Sequence, residues 1–432
     1  MARLKSGLGW ALVLASCLVG GAQGDGVFDF NARHPEREIK ADYFGTHIHR
    51  LWARDAPGHL PTPWPEGEIG AIRLWDSATR WADIEPEPGQ FDFERLDFYV
   101  ASAERHHAAI MLVLGSPPRW ASARPLEPGP YGPGSAAEPG NMALWDRYVT
   151  AVARRYKGRI AHYELWNEPF FAETPGAKAA YAGRMYFTGS VHAMVELARR
   201  ARIVLDHEDP AAVLLTPGAT DGVSMLDLFL AAGGATYVGG ITYHYYVKDD
   251  QEFLSLHRQI RETLARRQLD GLPIFNTESG FPSKGTNAAQ GALLMARQMI
   301  LGAFVGLDRY YQYAWDNGET GFAGTSLGPL ESRNGEAYAT VRRWLLEAKP
   351  ERCRQAPEGI VVCELLKDGA RRLIVWKPAK GASATPWHLP QGLHAGLIER
   401  VLVDPRVARF DHDDVVMVSG NPVTVVLKTD SP

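Results

Sequence analysis

Two short stretches place carboxylates where chemistry could use them. "YELWNEPFF" (163–171) runs from an apolar segment into Asn167 and Glu168 and stops at Pro169. "PIFNTESGF" (273–281) runs from a second apolar segment into Glu278. A charge at the end of a buried run is costly unless it is paired or put to work. A pair of carboxyl groups facing one sugar is what glycoside cleavage requires. One gives a proton to the leaving oxygen, and the other attacks or steadies the cationic sugar carbon. Glu168 and Glu278 are 110 residues apart in the chain, so only the fold can join them. If the reaction retains configuration, their carboxyl groups should lie about 5–5.5 Å apart. Their bland alternative is a structural ion pair.

Other polar residues fall at similar places. Asn167 can hold a sugar 2-hydroxyl. Arg73, in "AIRLWDS", and Tyr246, in "YHYY", can keep Glu278 ionised and aimed; Arg73 could instead pair with Asp76. His244 precedes Tyr246 by two and could equally be a core histidine. Trp315, closing "LDRYYQYAW", can form the floor under a sugar ring, and Trp120 stands in "SPPRWAS" on a loop. His47 and His49, two apart, would share one face of a strand. A metal there lacks an evident third ligand, so substrate contact or packing is the better expectation.

The elements that must position these groups read as eight short apolar runs: 43–49, 71–77, 108–116, 161–167, 212–218, 239–246, 272–278 and 307–315. Helical patterns lie between them near 93–107, 141–157, 178–207, 223–232, 251–269, 287–304 and 335–347. Strands alternating with helices predict an α/β fold, a (β/α)8 TIM barrel, whose site sits at the C-terminal ends of the strands. After the first strand the Pro-rich "RLWARDAPGHLPTPWPEGE" shows no helical period, so the first helix should be short or missing. Residues 351–432 change to short β-type runs and predict a small C-terminal antiparallel β-domain of sandwich type. The expected division is 1–24 leader, 25–350 barrel and 351–432 accessory domain.

"WNEP" ending the fourth strand and "TESG" ending the seventh resemble the two signatures of the clan A glycoside hydrolases. That resemblance implies Glu168 as acid/base and Glu278 as nucleophile. It also matches His244 and Tyr246 to the sixth strand, Arg73 to the second and Trp315 to the eighth. Within the clan the chain is most similar to family 39, which holds β-xylosidases, α-L-iduronidases and bacterial exopolysaccharide hydrolases. It implies an exported retaining glycosidase acting on a polysaccharide or oligosaccharide, with no cofactor and no metal. The alternatives are another clan A activity, such as an endoglucanase or galactosidase, or a non-catalytic glycan-binding lipoprotein.

Composition agrees with a carbohydrate partner. The 432 residues include 12 Trp, 16 Tyr and 16 Phe, enough aromatic surface for sugar stacking as well as for a core. A net charge of -4, evenly spread, gives nucleic acid or an anionic membrane surface nothing to hold. The N-terminus carries Arg3 and Lys5 ahead of the uncharged "GWALVLASCLVGGA", which reads as an export signal. "LASC" resembles a lipobox that would lipidate Cys17 and attach the protein to a membrane, "AQG" offers ordinary cleavage before Asp25, and an uncleaved anchor is the third reading. The expected location is therefore exported: the periplasm, a membrane-anchored lipoprotein or secretion. Cys353 and Cys363 remain after either cleavage, and export predicts one disulfide between them. "GTSLG" fits the esterase pattern around Ser326, but lacks the strand running into it that this motif needs.

Overall fold

The computed structural model describes residues 27–52, 61–65, 67–174, 185–280, 288–316, 332–378 and 383–428. The leader with Cys17, the Ser326 motif and much of the Pro-rich stretch lie outside them. A first strand, β1 (Phe30–Asn31), precedes eight parallel strands. These are β2 (Phe44–Thr46), β3 (Ala71–Leu74), β4 (Ala109–Val113), β5 (His162–Glu164), β6 (Val213–Leu215), β7 (Ile241–Tyr246), β8 (Ile274–Gly280) and β9 (Leu307–Gln312). They are ordered β6-β5-β4-β3-β2-β9-β8-β7. Parallel bridges Leu215–Gly240 and Ala219–Tyr243 close the ring. This is the (β/α)8 barrel that the alternating pattern predicts.

The helices form where apolar residues recur on one face. In Met142–Arg155 the buried positions are Trp145, Tyr148, Val149, Val152 and Ala153, the i, i+3, i+4 spacing of a helix lying on a sheet. Side chains cap the starts: the Asn141 amide oxygen accepts from the Ala143 N–H, and the Asp249 carboxylate from the Glu252 N–H, each satisfying a donor that the first turn leaves open. Of the segment expected to be helical over 178–207, the described residues 185–190 are not helical and the helix runs from Val191, where Ser190 caps it through the Ala193 N–H. Inside the barrel Ala71, Met111, Leu215, Phe275 and Tyr311 form a buried hydrophobic layer. Two residues further along β3, Arg73 points the same way, so the polar site rests directly on that floor.

The C-terminal part pairs β10 (Lys349–Gln355), β11 (Val361–Lys367), β12 (Ala370–Trp376), β14 (Ala395–Arg400) and β16 (Val423–Leu427) into one antiparallel sheet. A second sheet holds β13 (Thr385–His388) and β15 (Val415–Val418). Alternation sends Val362, Leu373 and Val375 into a core shared with Trp387, Val416 and Val418. The opposite face sends Val361, Cys363, Leu365, Ile374 and Trp376 into the core of the barrel. Both faces are covered, which is why "VVCELL" and "LIVW" read as continuous apolar runs. The division at residue 350 is not a clean cut. β1, ahead of the barrel, adds an edge strand to this sheet by pairing with β10. Cys353 and Cys363 stand directly opposite across β10 and β11 and form the expected disulfide.

A buried polar clasp locks the two parts. The Asp250 carboxylate accepts from Arg297 Nε and Trp376 Nε1, both at 2.8 Å, and Arg297 Nη1 donates to the Gly420 carbonyl at 2.8 Å.

Candidate active site

Arg73 is the hub. It is fully buried on β3. Its Nε donates to Glu164 Oε2 at 2.5 Å, Nη1 to Glu278 Oε2 at 3.0 Å and Nη2 to Asn167 Oδ1 at 2.7 Å. Burial works against its charge, but Glu164 and Glu278 outweigh that and hold the guanidinium above its ordinary pKa. The pairing with Asp76 is therefore not made; the cation is spent on the strand-end carboxylates. Glu164, one turn of strand before Asn167, is fully buried and also accepts from Thr277 Oγ1 at 2.9 Å. Glu164 is not among the candidate residues that the sequence motifs single out. The available signal was a carboxylate inside an apolar strand, which demands a buried counter-ion.

Glu278 ends up held from both sides. Oε2 takes Arg73, and Oε1 accepts from the Tyr246 hydroxyl at 2.7 Å. Burial raises its pKa and Glu168 adds to this, while His244, Arg73 and the Tyr246 hydrogen bond pull it down. Glu168 differs in kind. It stands just past β5 with φ at 39°, a left-handed backbone that costs a non-glycine residue energy and recurs at functional sites. Its N–H donates to the Gly218 carbonyl at 2.9 Å, and the Gly218 N–H donates to the Trp166 carbonyl at 2.8 Å, so a neighbouring strand end fixes the turn. Burial pushes the Glu168 carboxyl up to about 7; Arg73 opposes this, and Asp221 and Asp76 add to it.

His244 bridges the two glutamates, with Nδ1 2.8 Å from Glu168 Oε1 and 3.8 Å from Glu278 Oε2. Burial lowers its pKa, so the ring is neutral. Arg73 Nη2, a donor, lies 3.5 Å from Nε2, which assigns the ring proton to Nδ1 and makes it a donor to Glu168. One atom from each of Glu168, His244 and Glu278 lies within 4.8 Å of the others. That spacing would suit a cation too, but Arg73 already supplies the positive charge. Gly218 is required here, because a Cβ would stand 2.5 Å from Glu164 Oε1 and 2.6 Å from His244 Nε2.

The remaining predicted residues divide. Asn167 is brought in, and Arg73 takes its Oδ1, which leaves the Nδ2 hydrogens for a ligand. His47 is fully buried, with Nε2 donating to the Thr277 carbonyl at 3.0 Å and Nδ1 without a partner among the described residues. His49 packs against Tyr313 at 5.1 Å between ring centres, as His47 does at 5.0 Å. Trp315 is buried just past β9, with its backbone N–H donating to the His47 carbonyl at 2.9 Å. Trp120 is held on its loop. Its indole N–H donates to the Pro86 carbonyl at 3.0 Å and its ring meets Trp81 edge-on at 6.5 Å, so it secures a loop. A cavity of about 630 Å³ opens beside the site, bounded by Asp221, His244 and Tyr246 at one end and by the helix Asp250–Arg266 along its length. That volume falls in the range of small-molecule sites.

No protein-family model and no curated protein matches the chain. Solved structures do. A family 39 glycoside hydrolase from Bacteroides cellulosilyticus WH2 superposes with a TM-score of 0.62 at 17% identity, over 83% of this chain and 76% of that one. A glucosidase from Croceicoccus marinus gives 0.63 at 14% identity, over 94% and 100%. The catalytic domain of a GH30 xylanase C from Talaromyces cellulolyticus gives 0.58 at 14%, over 92% and 99%. The chain thus has the fold of these glycoside hydrolases, a (β/α)8 barrel with an attached antiparallel β-domain.

Proposed function

We propose that the protein is a retaining glycoside hydrolase acting on a polysaccharide or oligosaccharide. One observation carries this reading: two carboxyl groups from β5 and β8 face each other with oxygens within 4.8 Å, in unlike surroundings. Oxygens this close suit a retaining enzyme, whose two carboxyl groups lie about 5–5.5 Å apart. Glu278, anchored by Arg73 and Tyr246, attacks the anomeric carbon as the bond to the leaving oxygen breaks. Glu168, raised to about 7, gives its proton to that oxygen. In the second step Glu168 takes a proton from water, the hydroxide adds to the anomeric carbon and the Glu278 carboxylate departs. Asn167 holds the sugar 2-hydroxyl, and Trp315 lies under the ring.

The fold neighbours described as a xylanase and a glucosidase fit a polysaccharide or oligosaccharide substrate. Export is supported by the signal-like N-terminus, by the Cys353–Cys363 disulfide and by the likeness to a conserved exported protein of Bacteroides fragilis (TM-score 0.56, 9% identity). Lipidation at Cys17 would then tether the enzyme to a membrane. The test is incubation with 2-deoxy-2-fluoro aryl glycosides of several configurations, followed by peptide mass mapping. A glycosyl ester on Glu278 is expected. Turnover of an ordinary glycan with inverted anomeric configuration would overturn the mechanism.

A further inference from the structure

At the rim of the same site a carboxylate is held by tyrosines rather than by a cation. Asp76 lies three residues beyond Arg73, just past the end of β3, and is half-buried. Tyr131 donates its hydroxyl to Asp76 Oδ1, and Tyr313 donates to Oδ2 at 2.8 Å. The two tyrosines come from a loop after β4 and from the end of β9, so separate segments converge on one side chain. Burial raises the pKa of both phenols, and Asp76 raises it further; they stay protonated and donate. No salt bridge to Asp76 exists among the described residues, and the nearby Arg80 pairs instead with Asp83 while stacking 3.8 Å above the Tyr131 ring.

Aromatic rings wall this region. Tyr186 lies 5.7 Å from Tyr131 and 6.4 Å from Trp75, ring centre to ring centre. Asp76 and Tyr313 stand just past the C-terminal ends of β3 and β9, at the same mouth of the barrel as Glu168 and Glu278. A carboxylate offers about four acceptor sites. Two take the tyrosines, and the rest are left for a ligand that donates.

We propose that Asp76 is a specificity-determining residue which accepts hydrogen bonds from the hydroxyls of an uncharged sugar and thereby excludes a uronic acid from the bond that is cleaved. This rests on the glycosidase reading above. A sugar hydroxyl has the proton that Asp76 lacks; a sugar carboxylate has none and brings a second negative charge into a partly desolvated wall. Because Asp76 also helps to lift Glu168, the residue that selects the sugar also helps to keep the acid protonated.

The test uses the full chain and cyclitol epoxide probes, which esterify the nucleophile without turnover. Neutral gluco- and galacto-configured probes are compared with their C6-carboxylate counterparts, in both anomeric configurations, with labelling located by peptide mass mapping. A neutral probe should label Glu278 at least about 100-fold faster than its carboxylate counterpart. In Asp76→Asn the neutral probe should slow about tenfold or more while the carboxylate probe gains, so the ratio collapses. Equal rates for neutral and carboxylate probes in the wild type would overturn the inference and leave the glycosidase intact. Equal losses for all probes in Asp76→Asn, together with a lower melting temperature, would overturn it in favour of a purely fold-supporting carboxylate. Failure of every probe to label Glu278 would instead remove the glycosidase reading and this inference with it.

Discussion

Replacing Glu168 by Gln removes the proposed proton donor and leaves the shape of the site. The structure sets the size of the effect. A glutamic acid at its ordinary value of 4.5 would be about 0.3% protonated at pH 7. At about 7 half the molecules carry the proton, a gain of about 150-fold in competent acid, equivalent to roughly 3 kcal/mol. Glu168→Gln should therefore lose about 10²- to 10⁴-fold in kcat/KM on a glycoside with a sugar leaving group. It should lose far less on a dinitrophenyl glycoside, whose leaving group needs no proton. Deglycosylation should then stall, because no base activates water, and azide, which needs none, should restore turnover and yield a glycosyl azide. The pH profile follows the same logic. Glycosylation needs the protonated acid, so wild-type kcat/KM for a poor leaving group should fall as pH rises through about 7, and this limb should vanish in the variant. Linkage supplies an independent check. A carboxyl whose pKa is raised on folding contributes stability at low pH that is lost between about 4.5 and 7, so Glu168→Gln should raise the melting temperature at pH 8 more than at pH 4. Near-normal activity on the poor leaving group, or an unshifted basic limb, would refute the assignment of Glu168.

Further outcomes are expected. Gly218→Ala should push a methyl group into Glu164 and His244, and a displacement near 1 Å at such a site costs on the order of 10²-fold in rate; unchanged kinetics would show that the crowding is absorbed elsewhere. Asp250→Ala should strand the buried Arg297 and cost about 3–5 kcal/mol in a denaturant titration, with a loss below about 1 kcal/mol showing that the clasp does not hold the two parts together. Replacing both Cys353 and Cys363 by Ala should cost about 2–3 kcal/mol, from the short loop that the bond closes, read as a lower midpoint in oxidised but not in reduced samples.

The parts of this protein that depend on neighbours in the chain were legible in its sequence. Apolar runs alternating with helical periods define the barrel, because a strand or a helix must carry its own pattern to bury one face. Asn167, Glu168 and Glu278 stand out because polar residues at the ends of apolar strands have no bland use that is cheap. The disulfide followed from an even pair of cysteines and an export signal. What required tertiary structure are the contacts whose partners lie far apart in sequence. Glu164 sits inside the stretch with Asn167 and Glu168, yet only the placement of β3 and β5 on either side of β4 shows that it neutralises Arg73, 91 positions away. Trp120, a candidate for substrate contact, has its indole N–H on the Pro86 carbonyl, 34 residues away. Asp76 gains its meaning from tyrosines 55 and 237 residues away, and β1 joins a sheet whose other strands begin at Lys349. In each case local propensity fixes the element. Closure of the barrel, which brings eight strand ends into one ring, decides which side chains meet there and so which of them can carry a charge.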